Sequence, residues 1–289
     1  MIRANLAGVC WKRAALPALV LSLGLLSLLE AAAIAADSPE RAVAREILDA
    51  AGVAGGLVVH VGCGDGTLTA ALRADDRYLV HGLDAEAANV AKAREHIREL
   101  GLCGKVSVGR WTGGQLPYAD NVVNLLVLRD RAREGMRKEI MRVVAPGGVV
   151  CARAGGAWKA TVKPRPAEID EWTHFLHGPD NNAVARDLVV GPPRHLQWVS
   201  GPKWARSHDH LATVSAVVSS GGRIFSILDE GPTAFVVLPA RWWLVARDAF
   251  SGVLLWKRPI EPWEWHLRGF AAARPRCREP WWPSAIAST

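Results

Sequence analysis

No C-x-x-C pair occurs anywhere in the 289 residues, and the five cysteines, Cys10, Cys63, Cys103, Cys151 and Cys277, stand singly. That scatter supports neither a zinc ribbon nor a thioredoxin-type redox motif. No apolar run is long enough to cross a bilayer comfortably, since the longest, Ala14 to Leu29, has 16 residues against the roughly 20 that a spanning helix needs. Nor is the basic excess gathered into a patch. The formal charge of +7 comes from 35 Lys and Arg against 28 acids; three of the basic residues precede the apolar run and four fall in the last 22 positions. A nucleic-acid footprint is therefore not expected, and a solvated basic surface is. No motif names a general base or a nucleophile.

What the N-terminus does contain is Lys12 and Arg13, then the apolar run, then the small residues Ala31 to Ala36. This order is that of a secretory signal, with a charged start, an apolar middle and an A-x-A-like end. Residues 1–36 are read as a signal peptide cleaved near Ala36, which places the mature chain outside the cytoplasm, in the periplasm or secreted. An uncleaved membrane anchor remains the alternative, and contact with a membrane is expected only through this segment. The remaining length suits about two domains, and 50% hydrophobic with 22% charged residues is an ordinary globular balance.

From Leu57 onward short apolar runs alternate with helical segments. LVVHVG, YLVHGLD, KVSVGR, VVNLLVLR and GGVVCAR read as strands, whereas TLTAALRA, EAANVAKAREHIREL and MRKEIMRVV read as helices. Such alternation predicts an α/β fold, a parallel sheet with helices on both faces. Ligands of these sheets bind beyond the carboxyl ends of the strands, where the glycine turn Gly62-Cys63-Gly64-Asp65-Gly66 and Asp84 both fall. The bland alternatives stay open: a tight strand-to-helix turn holding nothing, and Asp84 as a helix N-cap. His60 and His81 read as partly buried sheet residues.

The succession VVHVGCGDG, an acid at Asp84, LPYADNVVNLLVL and EIMRVVAPGGVV resembles class I S-adenosylmethionine-dependent methyltransferases. The resemblance implies a Rossmann-like methyltransferase sheet and S-adenosylmethionine as cofactor. The cofactor would be held around Gly62, Cys63, Gly64, Asp65 and Gly66, with the carboxylate of Asp84 on the ribose hydroxyls, and Trp111 and Asn124 at the positions of two further family contacts. Three departures accompany it. His60 stands where the family usually has an acid, Asn124 stands where it usually has Asp, and Trp111 lies where an acid or Asn commonly meets the adenine. The segment after strand five, AGGAWKATVKPRP, is too short for the helix and antiparallel hairpin that normally complete the sheet.

Beyond Thr161 the composition turns to Pro, Asn, Asp and His, which indicates extended and turn structure. Trp172, Gly178, Asp180, Asn182 and LQW ending at Trp198 resemble the entry segment of quinoprotein-type β-propellers, which bind pyrroloquinoline quinone. WLVARDAFSGVLLWKRPI resembles their blade repeat. In that repeat Asp248 bonds the turn, Gly252 supplies a positive φ and Trp256 packs between blades. The two halves together resemble large exported proteins of planctomycete-type bacteria. One blade cannot bury its own faces, and no second repeat follows, so an incomplete all-β propeller portion and a truncated chain are expected, without bound quinone. Asp170, His174, His177 and Ser207-His208-Asp209-His210 make a metal site conceivable, with turn hydrogen bonding as the plainer reading; no metal is assigned.

The resulting division is a signal peptide at 1–36, a methyltransferase-like domain at 37–160, a linker and propeller entry at 161–200, a first blade at 201–268 and an irregular tail at 269–289. The expected function is binding of the small-molecule cofactor S-adenosylmethionine with methyl transfer to an unidentified substrate. The competing expectation is a non-catalytic exported binding or scaffold module.

Overall fold

Ser38 starts the first helix. Its side-chain oxygen accepts the Arg41 N–H at 3.4 Å, proline occupies the first helical position, and Gly52 closes the helix at φ +63° with its N–H on the Leu48 carbonyl. This helix, α1 (Pro39–Ala51), buries Ala44, Ile47 and Leu48. The sequence reading began its elements at Leu57 and passed over it, although Ser-Pro-Glu before a periodic apolar stretch is a start signal. The computed structural model describes residues 38–129, 134–189, 191, 196–204, 213–233 and 238–261. The expected signal peptide, the Ser207 to His210 cluster and the tail at 269–289 lie outside the described residues. Among the described residues no helix is long and apolar enough to cross a membrane.

After α1 the chain alternates as the apolar pattern requires: β1 (Gly56–Val61), α2 (Thr67–Ala71), β2 (Tyr78–Asp84), α3 (Ala87–Glu99), β3 (Val106–Arg110), β4 (Val123–Leu128), α4 (Arg137–Val143), β5 (Val144–Ala154) and β6 (Ala157–Val162). The six strands form one sheet in the order β3-β2-β1-β4-β5-β6, parallel except for β6. Alternate residues of β1 face opposite sides, as a pleated strand dictates. Val58 enters a core with Ile47, Leu72, Val80, Ala93 and Leu125, whereas Val59 enters one with Leu83, Leu126, Ile140 and Val143. Helices thus cover both faces, unevenly: α1 and α3 pack on the first and α4 on the second.

The segment after β5 corrects one expectation. It has no helix, but it does form a hairpin, because Gly155 and Gly156 take φ +62° and +87° and let β6 turn straight back onto β5. Two consecutive positive-φ residues are what a two-residue hairpin turn requires. Lys163, just beyond β6, pins the strand end by donating to the Asn121 side chain and to the carbonyls of Met141 and Val144 at 2.6, 2.6 and 2.8 Å.

A second sheet follows, with β7 (Val214–Ser220), β8 (Arg223–Asp229), β9 (Trp242–Asp248) and β10 (Leu254–Pro259) in the antiparallel order β10-β9-β8-β7. The residues of one face form two clusters along the strands, Val218, Phe225, Ala246 and Trp256 in one and Ile227, Trp242 and Leu244 in the other. In the turn after β9, Asp248 Oδ1 accepts the N–H groups of Phe250 and Ser251 and the Ser251 hydroxyl. The indole of Trp198 lies so close over Gly252 that a side-chain carbon there would sit 2.4 Å from it.

The two sheets meet at the amino ends of β1 and β4. Asn124 Oδ1 accepts the Leu57 N–H at 2.8 Å while its Nδ2 donates to Asp248 Oδ2 at 2.8 Å. Gly56 makes this possible, since a Cβ there would sit 2.2 Å from the Asn124 amide oxygen. Asn124 is 8% exposed and Asp248 8%, so neither partner has water to fall back on. We expect Asn124→Asp to lower stability by about 2–4 kcal/mol, because it removes the donor and sets two carboxylates face to face in a buried place. Urea unfolding of the full chain measures this; a midpoint equal to that of the unsubstituted protein would show that the contact contributes nothing.

Candidate functional site

The strand order reverses between β1 and β4, whose neighbours lie on opposite sides. At such a point the connections diverge and leave a crevice beyond the carboxyl ends of the strands. The glycine turn leaves β1 there, Asp84 ends β2, and Arg129 follows β4.

The three glycines serve different ends. Gly62 and Gly64 have φ +80° and +58°, and a Cβ on either would meet nothing closer than Arg129, at 3.8 and 3.6 Å. Their open side is a place where a ligand can approach the backbone. Gly66 serves packing instead: a Cβ would come within 2.7 Å of Ala93 on α3. The turn's N–H groups largely face inward. Gly62 and Cys63 donate to the Leu83 carbonyl, Gly66 to the Cys63 carbonyl and Gly64 to Asp84 Oδ2. Asp65 caps the turn on its outer side by accepting the Thr67 N–H and hydroxyl, and these bonds hold its carboxyl below the usual range.

Asp84 is the clamp. Its Oδ2 takes the Gly64 N–H at 2.8 Å, and its Oδ1 takes the Glu86 N–H at 2.9 Å and the Asn89 amide at 3.1 Å. Burial would raise its pKa, but the N–H groups of Glu86 and Gly64 and the Asn89 amide outweigh that and hold it down. It is therefore a carboxylate at neutral pH, and of the roughly four acceptor positions of a carboxylate three are taken.

Cys63 is buried, and burial followed by the charge of Asp84 raises its thiol to about 11; it stays a protonated packing residue. Trp111 gives its N–H to the Asp84 carbonyl and so stands at the carboxyl edge, yet its indole N–H turns back to the Gln115 carbonyl and its ring joins the core around Leu83 and Leu116.

Asn124 is a correction. It lies near the amino end of β4, with its side chain engaged by Leu57 and Asp248, so the structure places it at the opposite end of the sheet from the glycine turn. The residue that the sequence reading missed is Arg129, at the other end of the same strand. Its position just past VVNLLVL was the available sign, for ligand residues belong after such a strand rather than at its start. A cavity of about 700 Å³ lies elsewhere, between Arg41, Arg45, Thr67, Arg73 and His96, and includes neither Gly62 nor Asp84.

In the second half, His177 Nε2 and Asp170 Oδ2 are 2.6 Å apart. The Arg186 N–H, that imidazole and the Glu171 N–H lower the Asp170 carboxyl to about 2. His177 also meets the Trp172 ring edge-on, and its backbone pairs with that of His174. Among the described residues no group of three or more His, Cys, Asp and Glu side chains is placed to hold a metal ion.

His60 is 2% exposed, with Nδ1 2.9 Å from the Thr69 hydroxyl and Nε2 buried without a hydrogen-bond partner. Burial first, then the charge of Arg129, lowers its pKa to about 4, against a smaller opposing pull from Asp84. The unfolded chain therefore binds a proton more readily than the folded one between pH ~6.5 and ~4, and stability falls as pH drops through that window. We expect a loss of about 2–3 kcal/mol across it from this imidazole, and a correspondingly flatter profile for His60→Gln. Unfolding free energies at pH 7 and 4.5 check this, and parallel profiles for the two proteins would contradict it.

Residues 58–148 match the family model of a methyltransferase domain. No curated protein matches the chain. Among solved structures the chain is similar to a protein of Methanococcus maripaludis described as an S-adenosyl-L-methionine-dependent methyltransferase, with 23% identity over 40% of this chain and 56% of that one, at a TM-score of 0.37. It is also similar to geranyl diphosphate C-methyltransferase of Streptomyces coelicolor A3(2), with 22% identity over 39% and 45% and a TM-score of 0.37. A SAM-dependent methyltransferase of Aquifex aeolicus gives 23% identity over 34% and 55% and a TM-score of 0.32. The matched part spans about half the length of each of these structures, and a methyltransferase domain is what residues 58–148 of this chain match.

Proposed function

We propose that the chain binds S-adenosylmethionine at the carboxyl edge of β1, β2 and β4 and acts as a methyltransferase. One observation carries the reading: an open backbone cradle at Gly62 and Gly64, clamped to a buried, ionised Asp84, lies within the stretch that matches the methyltransferase domain. A side chain at either glycine would fill the cradle, so the residues present fit the cofactor. Asp84 has an acceptor position left on Oδ2 for one ribose hydroxyl, and Asn89 beside it carries a further polar group. The cofactor supplies an electrophilic methyl group when bound. The protein's part is then to orient nucleophile and cofactor in line, which does not demand a catalytic base.

A second reading, a non-catalytic binding or scaffold module, is favoured by the inward hydrogen bonding of the turn, where four N–H groups are already used. The second sheet is proposed to be one blade of a quinoprotein-like propeller, supported by the antiparallel meander and by Asp248, Gly252 and Trp256 in the blade pattern. Export is proposed on residues 12–36 of the sequence.

Calorimetric titration of the full chain with S-adenosylmethionine tests the main reading. Asp84→Ala should weaken binding about 10- to 150-fold, the worth of hydrogen bonds to a charged group. Asn89→Ala, which leaves the Gly64 clamp intact, should weaken it less. No heat at millimolar ligand, or full affinity in a folded Asp84→Ala protein, would favour the scaffold reading.

A further inference from the structure

The cavity of about 700 Å³ lies on the first face of the α/β unit, where α1, α2 and the end of α3 meet. Each helix contributes one stripe to its lining. On α1 the stripe is Arg41, Ala44, Arg45 and Leu48, spaced three and four residues apart as neighbours on one helical face are. Thr67, Ala70 and Ala71 form that of α2, and His96 with Leu100 that of the end of α3. The buried part of the lining is apolar, with Ala44, Leu48 and Ala70, and Leu100 beside it stays 51% exposed. A leucine left half open next to a concave apolar surface gains from a hydrocarbon chain laid against both.

The charge in this lining is mostly of one sign. Arg41, Arg45 and Arg73 bring three guanidiniums against the carboxylate of Glu40 among the described residues that line the cavity. Arg41 and Arg45 are exposed, one turn apart, whereas the Arg73 side chain is only 14% exposed. Arg73 Nη2 pairs with Asp76, a carboxylate that is itself 88% exposed. Its Nε is buried without a hydrogen-bond partner among the described residues. Such an unmet donor is costly, and an anion brought to the guanidinium supplies the missing acceptor.

We propose that this cavity binds a single-chain amphiphile with an anionic head, a medium-chain carboxylate, whose head lies among the three guanidiniums and whose chain covers Leu48, Ala70 and Leu100. Its volume falls within the range of small-molecule sites, which favours such a ligand over a macromolecular partner. A guanidinium takes a carboxylate through paired N–H donors, so the arginines set the head group while the apolar stripe sets the chain. The cavity includes neither Gly62 nor Asp84, and this site stands independently of the methyltransferase reading.

Calorimetric titrations of the full chain with octanoate, butanoate and 1-octanol test the proposal. Octanoate should bind tightest, with 1-octanol about tenfold weaker for want of the charge. Butanoate should be about 15- to 200-fold weaker than octanoate, since each methylene buried against the apolar stripe is worth about two- to fourfold. The double change Arg41→Gln with Arg45→Gln, on the exposed side of α1, should bring octanoate within about threefold of 1-octanol. It should leave 1-octanol binding unchanged, which also reports that the cavity is intact. Leu100→Ser should weaken octanoate and 1-octanol alike. Absence of octanoate binding, equal affinities for octanoate and either of the other two ligands, or full octanoate affinity in the double variant would each overturn the proposal. Binding of S-adenosylmethionine is read in its own titration, so none of these outcomes bears on the glycine turn.

Discussion

A buried amide, that of Asn124, joins the two halves of this protein. It satisfies the Leu57 N–H near the start of a central strand with its oxygen and the Asp248 carboxylate of the second sheet with its nitrogen. Only an amide side chain of this length offers both an acceptor and a donor there. The rest of the junction follows from that requirement. Gly56 must lack a side chain so that the amide fits, and the other oxygen of Asp248 is left to organise its own turn through Phe250 and Ser251. Gln197 adds a second tie, donating to the carbonyls of Asn121 and Phe250 at 3.3 and 2.9 Å.

The opposite end of the sheet obeys a related constraint. A carboxylate at the end of β2 holds the glycine turn in place by accepting a backbone N–H, and the neighbouring loop encloses it with two more donors. Such a group is rigid and already ionised, so it adds an acceptor to the crevice without needing to reorganise. The same bonds limit it, because a carboxylate with three donors has little room for more.

Much of this was legible in the residues. The alternation of apolar runs and helical segments foretold every strand of the first sheet except β6, because buried parallel strands read as continuous hydrophobic runs. β6 was hidden because Ala157 to Val162 is an edge strand with mostly exposed residues, so its pattern resembles a loop. The glycine turn and Asp84 were legible because backbone conformation and strand ends are local properties. Asn124 was misjudged for a different reason: its partner Asp248 is 124 positions away, and no local pattern announces such a contact. An amide rather than a carboxylate at that place has a physical explanation in that partner, since a second carboxylate would face the first. Arg129 went unread because a single arginine after a strand carries no motif.

The junction at Asn124 also gives mechanical load a route between the two sheets, beside the Gln197 tie and the chain itself. A pull on the second sheet reaches the first at Leu57 and Asn124, near the starts of β1 and β4, which are interior strands with a parallel ladder on each side. Separating them means breaking several ladder bonds at once, whereas a force on an edge strand such as β6 can open them one after another. The Asn124 contact therefore couples the second sheet to interior strands of the α/β unit, at the ends of those strands away from the crevice.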